Sequence, residues 1–290
     1  MARGHSFGGI WTETKLRHLR KYLDAYMKIF TANEKARYYK TIYVDAFAGT
    51  GYRAVKPSDL KTIQMFPTAD ELKAGSAVLA LRTEPPFSRY VFVELNKDRA
   101  LELEQLRSEF PDRNIEVHCG DANEALLCFC HETDWNRHRA VVFLDPHGMS
   151  VDFETLKALG QTLAIDLWYL FPLSIGAGRL LSQSPPEEES WSMRLTKIFG
   201  TEEWKTKFYA PSKQLKISGG PTGLEKRADY DSMLKFFKEE RLGTIFHKIA
   251  KKHRLLMNSK NSPMFALLFA SANPKKSDLA VKIANNIFKD

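Results

Sequence analysis

Cysteine is scarce in this chain, with three in 290 residues at Cys119, Cys128 and Cys130. Any disulfide scheme leaves one unpaired and no CxxC pair is present, which excludes a disulfide-stapled scaffold or thiolate zinc module and points to a reducing compartment. Their spacing and apolar setting suit buried small hydrophobes. Long apolar runs are missing too. Nowhere do 18 apolar residues stand uninterrupted, and Met1 to Thr14 lacks the apolar core of a signal peptide. A soluble, cytoplasmic protein with no membrane partner is therefore expected. Repeats and low-complexity tracts are absent. What is present is 43% hydrophobic and 12% aromatic residues, enough for a real core, over a length that suits one large α/β domain or two small ones.

The net charge is +8, and its distribution says more than its size. Residues 1–184 carry 23 basic and 23 acidic side chains, so the whole surplus lies in residues 185–290. It is densest at Lys248, Lys251, Lys252 and Arg254, with Lys260 shortly after. A one-sided basic surface attracts polyanions by releasing their counterions, so nucleic acid becomes a candidate partner. A solvated helix face that keeps the protein soluble is the plainer reading of the same residues.

Hydrophobic periodicity predicts a helix over 12–30, then a strand, 41–47, running into Ala48-Gly49-Thr50-Gly51. A polar, proline-containing stretch, 52–68, reads as a long loop, followed by a helix over 74–82. Buried strands are expected at 90–95, 115–118, 140–145 and 165–172, with helices at 97–109 and 122–131 between them. Strands alternating with helices argue for a parallel sheet covered on both faces. From Ser182 the texture changes to helical blocks at 190–199 and 229–252. Two strands, 254–259 and 264–271, and a helix, 277–288, close the chain. The expected organisation is an α/β domain made of residues 1–181 and 251–290, interrupted by a mostly helical insertion over 182–250.

The strongest local signal is Val44-Asp45-Ala46-Phe47-Ala48-Gly49-Thr50-Gly51. Glycines directly after a first strand let the backbone approach a ligand closely. A dinucleotide fold wants GxGxxG with an acid about 20 residues later. Here the third glycine is missing, and the next strand-terminal acid, Glu94, lies 43 residues beyond Gly51, so a nicotinamide-dependent oxidoreductase does not fit. The chain instead offers an acid after each of four strands: Asp45, Glu94, Asp121 and Asp145. Singly, each could merely cap the helix that follows it.

As an ordered set they resemble class I S-adenosylmethionine (SAM)-dependent methyltransferases, and the resemblance covers most of the chain. It implies a Rossmann-like α/β class I methyltransferase sheet with helices on both faces and a mostly helical insertion before the last strand pair. It also implies SAM as cofactor. The loop Asp45, Phe47, Ala48, Gly49, Gly51 would hold the methionine moiety, Glu94 beside Leu95 the ribose hydroxyls, and Asp121 with the Ala122 amide the adenine, with Asp145 also counted among the cofactor-binding residues. The fourth strand ends Phe143-Leu144-Asp145-Pro146-His147-Gly148. This resembles the Asp/Asn-Pro-Pro-aromatic signature of amino-methyltransferases, and is nearer the Asp-Pro-Phe-Gly form of tRNA guanine-N2 dimethyltransferases. It implies catalytic roles for Asp145, Pro146 and His147, the first two accepting hydrogen bonds from an exocyclic amine and His147 stacking on a base or contacting phosphate. His147 stands where a second proline is usual, and a half-exposed turn histidine is the plainer alternative.

The series VDAFAGTG, FVEL, GDANE, VVFLDPHGM, IDLWYLFPL and NSKNSPMFALLFASANP is similar, over nearly the whole chain, to the three-Cys-motif partner protein family. That likeness implies a partner protein carrying the three cysteines. Substrate candidates are Trp168, placed to sandwich a flipped base, with Arg179, Lys251, Lys252, Arg254 and Lys260, and with lesser claims from Asn258 and Asn261. Tyr169 and Phe171 share the fifth strand with Trp168, and strand alternation puts some of the three in the core. Two functions are expected to compete: a methyltransferase acting on a nitrogen of an RNA or DNA base, with the insertion as a basic lid, and a non-catalytic SAM-binding subunit working with a partner.

Overall fold

The computed structural model describes residues 10–52, 74–173, 189–211, 224–258 and 260–290. The expected loop at 52–68, Arg179 and the start of the insertion fall largely or wholly outside these. Helix α1 (Ile10–Ala32) is followed by β1 (Lys40–Asp45), α2 (Ser76–Leu81), β2 (Arg89–Glu94), α3 (Lys97–Glu109), β3 (Ile115–Cys119), α4 (Ala122–Glu132), β4 (His138–Leu144), α5 (Phe153–Gln161) and β5 (Ile165–Pro172). Next come α6 (Glu189–Phe199), α7 (Trp204–Phe208), the pair β6 (Tyr209–Pro211) and β7 (Leu224–Lys226), and α8 (Tyr230–Lys235). A π-helical turn, Phe236–Leu242, leads into α9 (Gly243–Ile245). The chain ends with β8 (Lys248–Ile249), β9 (Arg254–Met257), β10 (Pro263–Ser271) and α10 (Ser277–Ile287).

The main sheet has the order β3-β2-β1-β4-β5-β10, with β8 and β9 both paired to the outer edge of β10. Strands β1 to β5 are parallel and β10 is antiparallel to β5. This is the Rossmann-like α/β arrangement expected, with helices on both faces. Strand order reverses between β1 and β4, so the crevice beyond the carboxyl ends of those strands is where ligands bind in such sheets.

Local rules explain the elements. Asn96 caps α3 by accepting from the Arg99 amide at 3.0 Å, and Asp121 caps α4 by accepting from the amides of Asn123 and Glu124 at 2.8 and 3.2 Å. Every residue of β5 is buried, as a strand covered on both faces requires. One face packs Tyr22, Val78, Trp168 and Phe269 beneath α1, α2 and α10, and the other packs Tyr169 and Phe171 against α5 and the segment that begins with α6.

That segment is not separate from the sheet. Leu195, Phe199, Trp204, Phe208 and Phe237 belong to the same buried cluster as Tyr169 and Phe171. The Phe171 and Phe237 rings stack at 4.0 Å between centroids and 9° between planes. Strand β8, inside the expected insertion, is itself part of the main sheet. The cysteines also differ from expectation. All are free, Cys119 and Cys128 are exposed and only Cys130 is half-buried. Cys119 ends an edge strand and Cys128 sits on the outer side of α4, and neither location was visible in spacing.

Candidate active site

Four loops meet at the carboxyl edge of the sheet. Asp45 ends β1, in register with Phe92 and Phe143 of the two flanking strands. Its Oδ1 accepts from the Phe47 amide at 3.2 Å, while Oδ2 is buried without a hydrogen-bond partner. Burial pushes this carboxyl up to about 7; the Ser76 hydroxyl and the Phe47 amide pull it down, and Asp145 adds a smaller upward push. A buried carboxyl with one oxygen unsatisfied is costly, so the site is poised for a ligand that brings a donor to Oδ2.

The turn after Asp45 bends back on the sheet. Gly49 and Gly51 have φ of +64° and +79°, which side-chain-bearing residues rarely adopt. The Ala48 amide donates to the Val93 carbonyl at 3.0 Å, and the Gly49 amide donates to Glu94 Oε2 at 3.0 Å. A Cβ on Gly49 would meet nothing within 4 Å, so this side of the turn is open. Glu94 is buried at the end of β2, its Oε1 accepting from the Asn96 amide at 2.9 Å. Two backbone amides thus orient this carboxylate and leave two of its roughly four acceptor positions. Leu95 beside it is 73% exposed. Asp121 uses Oδ1 to cap α4 and is exposed, and Ala122 is buried in the first turn. The cap uses Oδ1 alone and leaves the second oxygen of this exposed side chain uncommitted to it.

Asp145 ends β4 half-buried, Pro146 is buried and His147 is exposed. Oδ2 of Asp145 is ion-paired with Lys15, a lysine of the first turns of α1 that is only 5% exposed. The Lys15 ammonium also lies 5.4 Å from the Trp11 ring and 5.9 Å from the Phe143 ring. The loop after Asp145 is anchored from elsewhere. Asn123 donates to the Ser150 carbonyl and accepts from the Asp152 amide and the Thr155 hydroxyl, each at 2.9 Å, and Arg194 donates to the Met149 carbonyl. Lys15, Asn123 and Arg194 were not singled out as site residues in the sequence. Their only signal there is chemical type, because their partners are distant in the chain.

The expected substrate residues are scattered. Trp168 is fully buried and packs on Tyr22, Phe269 and Phe288, so it is a core residue and reaches no ligand. Its central strand is covered by α1 and α10, which a purely apolar run could not distinguish from a rim. Lys251 and Lys252 are exposed between β8 and β9, Lys252 donating its amide to Asn285 of α10, and Arg254 is half-exposed at the start of β9. They lie along the outer edge of the sheet, beyond β10, where Arg254 pairs with Leu267 and Leu267 faces Leu170 of β5. Lys260 is exposed in the β9–β10 turn, at the carboxyl edge. Asn258 closes that turn by accepting from the Lys260 and Ser262 amides at 2.9 and 3.0 Å, and Asn261 takes φ of +55°. Both asparagines have a structural job.

No family model matches the chain, and no curated protein matches it. Among solved structures, a Legionella pneumophila protein of the DUF519 family is similar at 12% identity and TM-score 0.49, over 96% of this chain and 91% of that one. Spermidine synthase in complex with the transition-state analogue AdoDATO is similar at 12% identity and TM-score 0.41, over 91% and 61%. The N-terminal domain of EvdMO1, crystallised with SAH and D-fucose, is similar at 11% identity and TM-score 0.40, over 93% and 90%. Among the described residues no helix is long and apolar enough to cross a membrane.

Proposed function

We propose that the chain is a SAM-dependent methyltransferase acting on a nitrogen of nucleic acid. The observation that carries this reading is Asp45, a buried carboxylate with an orphaned oxygen at the switch point of the sheet, beside an open glycine turn and the amide-oriented Glu94. That donor and acceptor set fits SAM. Asp45 and the Phe47–Gly51 turn would take the cationic methionine end, Glu94 the ribose diol, and the second oxygen of Asp121 the adenine amine. When bound, SAM would supply an activated methyl, its sulfonium leaving as the neutral thioether as the nitrogen takes the methyl, and the proton lost by nitrogen would pass to water at the open carboxyl edge.

The chain's own residues then have little acid–base work to do; they align the nitrogen. Asp145 with the Pro146 carbonyl would accept its N–H groups, and the ion pair with Lys15 holds the Asp145 side chain in place until the amine arrives. Asn123 and Arg194 hold the Pro146–Ser150 loop in place. Nucleic acid as substrate is supported by the basic surplus of residues 185–290 and by the Asp-Pro-His-Gly motif. The likeness to three-Cys-motif partner proteins adds a partner subunit to this reading.

The test is calorimetric titration with SAM and its demethylated product, followed by labelled-methyl transfer to tRNA, rRNA and DNA pools. Micromolar binding and label in one pool support the proposal. Absence of SAM binding refutes it, and binding without transfer moves the weight to the partner-dependent subunit.

A further inference from the structure

A cavity of about 270 Å³ opens at the end of the sheet opposite the Asp45–Asp145 edge. It lies between α1, the α1–β1 turn and α10, beside the first residues of β4 and β5 and the last residue of β10. Asp166 faces Val141 of β4, four residues before Asp145, so about 13 Å of strand separates this cavity from the site at Asp145.

Its lining is graded from one end to the other. The walls are aromatic and apolar: Tyr22, Tyr26, Phe30, Tyr39 and Ile283. Arg139 lies over the Tyr39 ring at 3.7 Å, held by the carbonyls of Trp135 and His138. At the inner end are the Asp166 carboxylate, which accepts from the Tyr22 hydroxyl at 2.7 Å, and Ser271 opposite it in register on β10. The Tyr26 hydroxyl also belongs here, and it is buried without a hydrogen-bond partner. Burial pushes Asp166 up to about 6, the Ser271 and Tyr22 hydroxyls pulling it back. At the mouth stand Lys35, Lys275 and Lys276, all exposed.

A ligand matching this gradient has a flat body for the rings, an inner edge carrying both an N–H donor and a hydrogen-bond acceptor, and an anion at its outer end. The carboxylate of Asp166 would take the N–H, and the unpartnered Tyr26 hydroxyl would donate to the acceptor, relieving its own burial. Aromatic walls with a few convergent polar groups are the usual make-up of a small-molecule site. We infer that this cavity is a nucleotide-binding site, with the base against the aromatic and apolar wall, its polar edge on Asp166 and Tyr26, and the phosphate among the lysines at the mouth. The inference does not rest on the methyl-transfer reading, since it shares no residue with that site. The nucleotide could be free or be the phosphorylated end of a nucleic acid; the chemistry recognised is the same.

The experiment is calorimetric titration of the full chain with the four ribonucleoside 5′-monophosphates and the matching nucleosides. Three variants accompany it: Lys275→Glu with Lys276→Glu at the exposed mouth, Ala36→Trp to obstruct the opening, and Glu94→Ala at the far site. Saturable one-to-one binding of at least one monophosphate is expected. It should weaken tenfold or more in both mouth variants and on removal of the phosphate, and be unchanged by Glu94→Ala. A 5′-phosphorylated trinucleotide binding as well as the monophosphate would make a nucleic-acid end the natural ligand, and a clear preference for the monophosphate would make it a free nucleotide. No saturable binding at millimolar concentration overturns the inference. So does binding that survives the mouth variants and is lost in Glu94→Ala, which would place the nucleotide at the carboxyl edge.

Discussion

The ammonium of Lys15, near the start of α1, is ion-paired with Oδ2 of Asp145 at the end of β4, 130 residues further along the chain. Lys15 is buried and Asp145 keeps 27% of its side chain exposed, so the pair is sheltered on one side only. Removing one member of such a pair leaves the other charge poorly compensated. Lys15→Met should therefore cost about 1–3 kcal/mol of stability. A double-mutant cycle with Asp145→Asn, followed by urea denaturation, should return a coupling above about 0.5 kcal/mol. Additive effects would mean that the two side chains do not stabilise each other.

Asp45 makes stability depend on pH in an unusual direction. Its folded carboxyl titrates at about 7, above the 3.8 expected when unfolded. Between those values the native state keeps a proton that the unfolded state has released, so stability falls as pH rises. The gap corresponds to about 4 kcal/mol. Asp45→Asn should flatten this dependence and be more stable than the parent at pH 8 by about 2–4 kcal/mol. Denaturation midpoints at pH 5 and pH 8 decide it, and an unchanged slope would reject the assignment.

Separate roles for Glu94 and Asp145 predict separate phenotypes. Glu94→Ala removes the carboxylate held by the Gly49 and Asn96 amides and should weaken SAM binding tenfold or more, since hydrogen bonds to a charged group are worth about 1.5–3 kcal/mol each. Asp145→Ala should leave SAM affinity nearly intact and abolish labelled-methyl transfer. Full transfer by Asp145→Ala would remove it from the reaction.

These residues were legible to different degrees for physical reasons. Asp45 and Glu94 could be found because each closes a buried apolar run, and Asp45 runs straight into glycines. The parallel strands were legible in the same way. Lys15 was visible only as one charge in a basic run, because its partner is defined by folding; Asn123 and Arg194 bind loop carbonyls 27 and 45 residues away and carry no local pattern. Trp168 misled because a strand buried on both faces has no polar alternation to separate a core aromatic from a rim aromatic. Chemical type alone did not place Lys251 and Lys252 along the sheet edge.

That placement yields its own prediction. Replacing Lys251, Lys252 and Arg254 together by Gln should reduce the salt dependence of nucleic-acid binding by about 0.7–0.9 in log–log slope for each phosphate that is no longer neutralised. An unaltered slope would make this run a solvated edge and transfer the electrostatic role to other basic residues.

Residues 189–247, from α6 onward, can behave either as a lid over the site or as part of the sheet's own core. Phe237, in the π-helical turn, is fully buried and stacks on Phe171 of the central strand β5. A segment that merely closed over the site would unfold on its own, and truncating Phe237 would leave the sheet's transition untouched. A shared core predicts otherwise. Phe237→Ala should lower global stability by about 3–5 kcal/mol, because the substitution removes both the buried area and the stacked ring. Hydrogen exchange distinguishes the two. Loss of protection in β5 and β10 together with Leu195 and Phe208 would establish one cooperative unit, whereas loss confined to residues 189–247 would establish a separable lid.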